Sequence, residues 1–366
     1  MTRIPLSKPD HPNEPGALSA SLREVILSRR FEEGDLAAAF ERRMAEFCGS
    51  VFAVATNSGT SALDAICAVT GLTSDVHVIC PSYAPTATIN ALLAAGATPI
   101  FADIDPKTYH VSLEEVERRI TPKTRAVLLV HQYGIPANGK AFAKFCRERD
   151  LVLIEDAGCG LGSRYDGRAI GSFGLAGLVS FHPRKVLSGG EGGMVLTDDE
   201  SLAARARSFG SIGTPPGNAW STDVAAGSRM SEFQAALGHW ALDRAEEAIS
   251  RRTKLAHRYD DTFDSVSGIT TFFEPGRGEW NRETYPVRVD GSRRDLVADA
   301  LRKDGIETSH GLQPAHLHPY IDARMRPPRL PETEAAYAET LLLPMYATLT
   351  FEEQDRVIES LVKALR

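Results

Sequence analysis

Four short apolar runs recur in the first half of the chain, at His77–Cys80, Thr98–Ala102, Ala126–Val130 and Leu151–Ile154. Each carries apolar side chains on both faces, so each predicts a strand covered above and below in a parallel or mostly parallel sheet. Thr86–Ala95 and Leu113–Ile120, which fall between them, have helical length and spacing. Repeated β–α units of this kind predict a doubly wound α/β layer. Ligands of such sheets sit beyond the carboxyl ends of the strands, so the polar residues just past each run are the candidates for chemistry. After Asp198 the pattern changes. Glu200–Phe209 reads as a helix and Ser231–Thr262 as one long helical stretch. Strands follow near Thr270–Phe273 and Thr284–Val289, and helices at Arg294–Lys303 and Phe351–Leu365. The predicted organisation is a large domain over residues 1–245 and a smaller α+β domain over 246–366, with Gly276–Arg282 an exposed loop.

Composition narrows the function. The 366 residues are 43% hydrophobic and 24% charged, as in an ordinary globular chain. The net charge is −7 with no long basic run, which argues against nucleic-acid partners and against an anionic membrane surface. Cys48, Cys67, Cys80, Cys146 and Cys159 are scattered without a C-x-x-C pair, predicting reduced thiols and a cytoplasmic setting. Met1–Pro9 holds no apolar stretch of signal-peptide length, and no run of about 20 apolar residues occurs to span a membrane.

Three segments carry candidate chemistry. Thr56-Asn57-Ser58-Gly59-Thr60-Ser61 follows an apolar run, Val51–Ala55, and opens a helix. It reads either as an N-cap or as a phosphate site made of helix amides and hydroxyls, and it matches neither the P-loop nor the dinucleotide pattern. Glu155-Asp156 ends the strand Leu151–Ile154, and alternation sends the two carboxylates to opposite faces. Ser180-Phe181-His182-Pro183-Arg184-Lys185 runs from a strand into a glycine-dense stretch, Gly189–Gly193. Lys185 there is either a surface charge or a desolvated amine able to form an imine. A phosphate turn, an Asp for a pyridinium nitrogen and such a lysine are together what pyridoxal 5'-phosphate requires. His316 and His318 stand two residues apart with no carboxylate or thiol cluster beside them, so no metal site is expected.

At this point the chain resembles the DegT/DnrJ/EryC1/StrS family of sugar aminotransferases, within the fold-type-I pyridoxal-phosphate enzymes. The motifs are Asn57–Leu63, Pro81-Ser82-Tyr83, Val130–Gly134, Glu155-Asp156-Ala157, Ser180–Lys185, Gly190–Gly193, Arg229–Ala236 and Leu342–Met345. The resemblance implies that Lys185 holds the cofactor and shuttles the proton, with Asp156 on the ring nitrogen. It implies that Ser58, Gly59, Thr60 and Ser180 hold the phosphate and that Tyr83 stacks on the ring. His131, His182 and His316 fall where the substrate would lie. Two positions depart from the family: Cys159 stands where a Gln is usual, and Gly227, followed by Ser228, stands where an Asn from the neighbouring subunit is usual. Cys159 and Ser228 are accordingly candidate cofactor contacts. The implied reaction moves an amino group from glutamate or glutamine, by way of pyridoxamine 5'-phosphate, to a keto-sugar, cyclitol or related oxo-compound. A homodimer with active sites at its interface is the implied assembly. Two alternatives stand beside it. A dehydratase, lyase or other non-transaminating enzyme on the same scaffold is disfavoured by Lys185, which the related dehydratases replace with histidine. A non-catalytic cofactor-binding regulator would need neither the proton shuttle nor the lysine.

Overall fold

The computed structural model describes residues 3–9, 16–32, 34–213, 225–272 and 276–366. A seven-stranded sheet forms its centre, in the order Phe52–Thr56, Gly193–Thr197, Ala176–Ser180, Val152–Asp156, Thr124–Val130, His77–Pro81 and Thr98–Ala102. Neighbours pair in parallel except at Gly193–Thr197, which runs antiparallel to both of its partners. Strand alternation divides the core into two layers. Ala126, Leu128 and Val130 join Ile66, Val78 and Ile154 on one face. Val127 and Leu129 join Ile79, Phe142 and Phe145 on the other. This is the mostly parallel, helix-covered sheet that the apolar runs predict.

A second sheet is wholly antiparallel, in the order Ile269–Thr271, Tyr285–Val289, Thr340–Leu343 and Ser309–His310. It has its own apolar cluster, including Leu255, Tyr259, Val287, Leu341, Val357 and Leu361. Ile4 is buried in that same cluster and pairs with Ile306, so the N-terminal arm crosses to this sheet. Phe273, the last residue of one predicted strand, lies outside the described residues.

Three features differ from the sequence reading. The stretch Ser231–Thr262 is two helices, Glu232–Leu242 and Ala245–Phe263. A break of two residues does not disturb the helical spacing of apolar positions, so periodicity alone runs straight through it. The strand Gly193–Thr197 was hidden because it opens in glycines. A Cβ at Gly193 would lie 2.4 Å from the Ser58 carbonyl oxygen, so this close approach admits no side chain. Finally, Gly276–Arg282 is an exposed loop only in part: Gly276, Arg277 and Glu279 are exposed, and the segment then turns inward. Gly278–Glu279 pairs with Arg164–Tyr165, and Trp280, Asn281 and Arg282 are 3%, 0% and 2% exposed. Their polar groups find partners far along the chain: the Asn281 amide N–H donates to Ser163 Oγ at 2.9 Å, and Arg282 pairs with Asp260 at 3.5 Å.

Asp103 fastens the helix Pro331–Glu339 to the sheet. Its buried carboxylate accepts from the Glu332 amide at 3.0 Å, the Thr333 amide at 2.8 Å and the Thr333 hydroxyl at 2.7 Å. Asp103→Ala is expected to cost about 3 kcal/mol, because it strands buried donors of a charge-assisted cluster. Urea unfolding checks this: the midpoint falls at unchanged slope, and an unmoved midpoint would mean that the helix is held elsewhere.

Candidate active site

The carboxyl ends of the sheet strands open onto a cavity of about 790 Å³. Asn57, Ser58, Gly59 and Thr60 line it on one side, and Asp156, Gly158, Cys159, Ser180, His182 and Lys185 line its floor. Glu283, Thr284, Ser309, His310 and Leu312 close it from the smaller sheet. Residues separated by more than 200 positions thus meet in one space.

The phosphate-type corner is built by the helix Gly59–Val69. Ser58 is its N-cap and accepts from the Ser61 amide at 3.1 Å, so the capping reading of Ser58 holds in this structure. Gly59 packs so closely that a Cβ would lie 2.8 Å from Ser180 Cβ. The helix start therefore presents its backbone to the cavity beside the Ser180 hydroxyl, the donor set an anionic group requires.

Opposite stands Asp156, 6% exposed. Its carboxylate accepts from the Thr88 hydroxyl at 2.6 Å and the Gly158 amide at 2.9 Å. Two donors fix its rotamer. Its neighbour Glu155 points to the other face, as alternation requires. There it accepts from His131 Nε2 at 2.9 Å and from the amides of Gly171, Phe173 and Gly174, clamping the loop beneath the strand ends.

Lys185 reaches the cavity from the turn after Ala176–Ser180. Its Nζ donates to Cys159 Sγ at 2.8 Å and to Glu283 Oε1 at 3.2 Å. Burial pulls its pKa down, but the hydrogen bonds it donates to Cys159 and Glu283, with the charge of the Glu283 carboxylate, outweigh that pull and leave it above the ordinary lysine value. Burial pushes the Cys159 thiol up to about 12, and the Glu283 charge adds to the rise. Cys159 is therefore a neutral thiol at physiological pH and no nucleophile.

Glu283 and Thr88 escape the sequence reading. Thr88 lies one helical turn past Pro85 and carries no motif of its own. Glu283 falls between the segment read as loop, Gly276–Arg282, and the predicted strand Thr284–Val289, and is delivered by buried side chains. Asn281 Nδ2 donates to the carbonyls of Cys159 and Leu161, both at 2.9 Å, while its Oδ1 accepts the Glu283 amide at 3.1 Å. Trp280 Nε1 donates to the Tyr133 carbonyl at 2.9 Å, and Tyr133 itself sits at a φ of 57°, a left-handed conformation costly for an aromatic residue.

Four candidates stand apart from the cavity. Tyr83 does not face it: the side chain is fully buried, with its hydroxyl 2.8 Å from that of Tyr133 and its ring against Tyr109, and Pro85 takes the place on the wall. His131 is buried behind the strand ends, held between Glu155 and the Ala137 amide. His316 is 3% exposed and bonded to Ser82 at 2.7 Å and Glu334 at 3.3 Å. Ser228 lies behind the phosphate-type corner, where its carbonyl accepts the Asn57 amide at 2.8 Å and its buried hydroxyl has no partner among the described residues. For Tyr83, His131 and His316 the polar group is met inside the protein, so local sequence could not place it. His182 does line the cavity, and burial lowers its pKa with help from Arg184 and Lys185. Gly227 has a φ of 59°, a conformation that glycine adopts freely.

A helix N-terminus with adjacent hydroxyl, a pinned carboxylate and an amine facing one cavity define a fold-type-I pyridoxal-phosphate enzyme. The chain matches the DegT/DnrJ/EryC1/StrS aminotransferase family over residues 14–362 and belongs to it. It is 35% identical to dTDP-4-dehydro-2,3,6-trideoxy-D-glucose 4-aminotransferase of Saccharopolyspora spinosa, covering 94% of this chain and 93% of that one. It is 33% identical to GDP-perosamine synthase of Caulobacter vibrioides, covering 89% of each. The crystal structure of the aminotransferase TlmJ from Streptoalloteichus hindustanus superposes with a TM-score of 0.93 at 32% identity, covering 99% of this chain and 98% of that one.

The residues present fit the cofactor, with the amides of Gly59 and Thr60 and the Ser180 hydroxyl for its phosphate, Asp156 for its ring nitrogen and Lys185 for its aldehyde carbon. Thr88→Val keeps the shape of the side chain and removes the donor to Asp156. It is expected to weaken pyridoxal-phosphate affinity about tenfold, as loss of a buried hydrogen bond to a charged group does. Equilibrium titration of the cofactor checks this, and an unchanged Kd would mean that Gly158 alone suffices to hold the carboxylate.

Proposed function

We propose that this aminotransferase takes an amino group from an amino acid, glutamate or glutamine, and transfers it to a keto-sugar carried on a nucleoside diphosphate. The observation that carries the reading is that Lys185, Asp156, Ser180 and the Ser58–Thr60 turn line one cavity. The acceptor class is supported by the relatives, both named for sugar nucleotides. A cavity of about 790 Å³ exceeds what a cofactor alone would occupy and leaves room for a second ring.

When bound, pyridoxal phosphate supplies an electron sink for the charge left as a carbon–hydrogen bond breaks. The protein does the rest. Asp156, pinned by Thr88 and Gly158, holds a proton on the ring nitrogen. Ser180 and the amides of Gly59 and Thr60 neutralise the phosphate. Lys185 Nζ takes the proton from the donor's α-carbon and later delivers one to the carbon that receives nitrogen. Ser58 and Glu155 act through position, the first by capping the helix and the second by fixing the strand end.

The finer assignments belong to the same proposal. A division near residue 245 is supported by the separate apolar cluster around the smaller sheet. Exposed Ile26, Leu27 and Phe31 support a homodimer, since solvent-facing apolar side chains on neighbouring positions favour a second copy. A cytoplasmic setting is supported by five free cysteines, four of them buried. Among the described residues no helix is long and apolar enough to cross a membrane.

Absorption spectroscopy tests the reaction. Pyridoxal phosphate added to the purified chain gives the band of a lysine-linked cofactor, and glutamate or glutamine converts it to the pyridoxamine spectrum. Lys185→Ala shows neither the band nor the conversion. A stable band that no amino donor converts would favour the non-transaminating alternative.

A further inference from the structure

The segment Trp280–Glu283 is a buried strap between the two sheets, and its last residue is the strongest charge facing Lys185. Glu283 has a side chain 5% exposed, against 18% for Lys185, and the two lie 3.2 Å apart. The strap is locked to the turn that bears Lys185's other partner. One Asn281 side chain binds both the Cys159 carbonyl and the Glu283 amide, and the Glu283 carbonyl accepts from Arg252 at 3.1 Å. A Cβ at Gly134 would lie 2.4 Å from the Cys159 carbonyl and 2.5 Å from Asn281 Oδ1, so the junction has no slack. Every anchor of Glu283 is made by its main chain, which leaves the carboxylate free to serve Lys185.

The other charged groups near Lys185 are engaged elsewhere. Asp156 is committed to Thr88 and Gly158. Glu191 is half exposed and lies 3.6 Å from His182. Cys159 contributes a neutral sulfur, His182 is turned to Glu191, and Arg184, on the lysine's own turn, can only repel an ammonium. Arg282, next to Glu283, turns away to Asp260 and to the face of the Trp280 ring.

We propose that Glu283 is a positioning residue that holds Lys185 as an ammonium aimed into the cavity, so that the amine is released for chemistry only by giving up a proton. This rests on the reading of Lys185 as the reactive amine. The same carboxylate steadies the ammonium that forms whenever Lys185 Nζ accepts a proton from a substrate carbon, and no bond other than N–H is made or broken at the pair.

The test uses the chain without cofactor or substrate, so its failure and the failure of the aminotransferase reading are separable. Acetic anhydride acylates only neutral amines, and peptide mass spectrometry reports the rate at Lys185 relative to exposed Lys140 and Lys144 at fixed, mildly alkaline pH. Glu283→Gln is expected to raise the Lys185 ratio at least about tenfold, one unit of titration midpoint, and to move its rate–pH curve toward lower pH. Glu283→Asp, which withdraws the charge by one methylene, gives a smaller shift in the same direction and carries the test if Glu283→Gln does not fold. Cys159→Ser, which changes no charge, stays within about twofold of the parent. Unchanged Lys185 ratios in the Glu283 variants would overturn the proposal. So would equal acceleration in Cys159→Ser, because access rather than charge would then control the amine.

Discussion

A lysine ammonium shielded from water needs a counter-charge, and the meeting of Lys185 with Glu283 meets that need at the seam of the molecule. Lys185 belongs to the turn after a strand of the large sheet, whereas Glu283 stands two residues before a strand of the small one, Tyr285–Val289. The Glu283 carboxylate, 5% exposed, would be costly in its place without the ammonium, since an unpaired buried charge is among the most costly defects a fold can carry. The pair therefore makes the cavity a product of both sheets. Asn281, Trp280 and Arg252 supply the rigidity, each through a hydrogen bond to a main-chain group on another element.

The sheet's strand ends supply the second half of the account. Asp156 and Glu155 are adjacent in sequence and opposite in direction, so one strand end delivers a carboxylate to the cavity and another to the loop beneath it. Glu155 spends its oxygens on His131 and three backbone amides, and that clamp fixes the geometry from which Asp156 projects. Gly193 completes the arrangement by letting an antiparallel strand press against the turn at Ser58 and Gly59. Glycine there is a packing requirement of the phosphate-type corner.

Much of this was legible in the chain. Apolar runs such as Ala126–Val130 report burial on both faces, and the residues after them, Asp156 and the Ser180–Lys185 turn, do lie at the cavity. Ser58, Gly59 and Thr60 were readable because helix capping is local. The strap was not. Asn281, Arg282 and Glu283 adjoin the exposed Gly276 and Arg277 and share their loop-like composition, and only tertiary partners such as Ser163, Cys159 and Asp260 make the burial of Asn281 and Arg282 tolerable. Tyr83 failed for a related reason: an aromatic residue after a strand fits a cofactor wall equally well as an aromatic core, and the Tyr109 and Tyr133 rings decide between them. His131 and His316 were likewise drawn inward by Glu155 and Glu334, groups that spacing could not identify.

In the proposed function, Lys185 is the amine at which this scaffold does its chemistry. Borohydride reduction of the chain loaded with pyridoxal phosphate, followed by peptide mapping, measures that directly. The predicted result is a single phosphopyridoxyl group at stoichiometric yield on Lys185. Label distributed over surface lysines such as Lys140 and Lys144, or none retained at all, would contradict it.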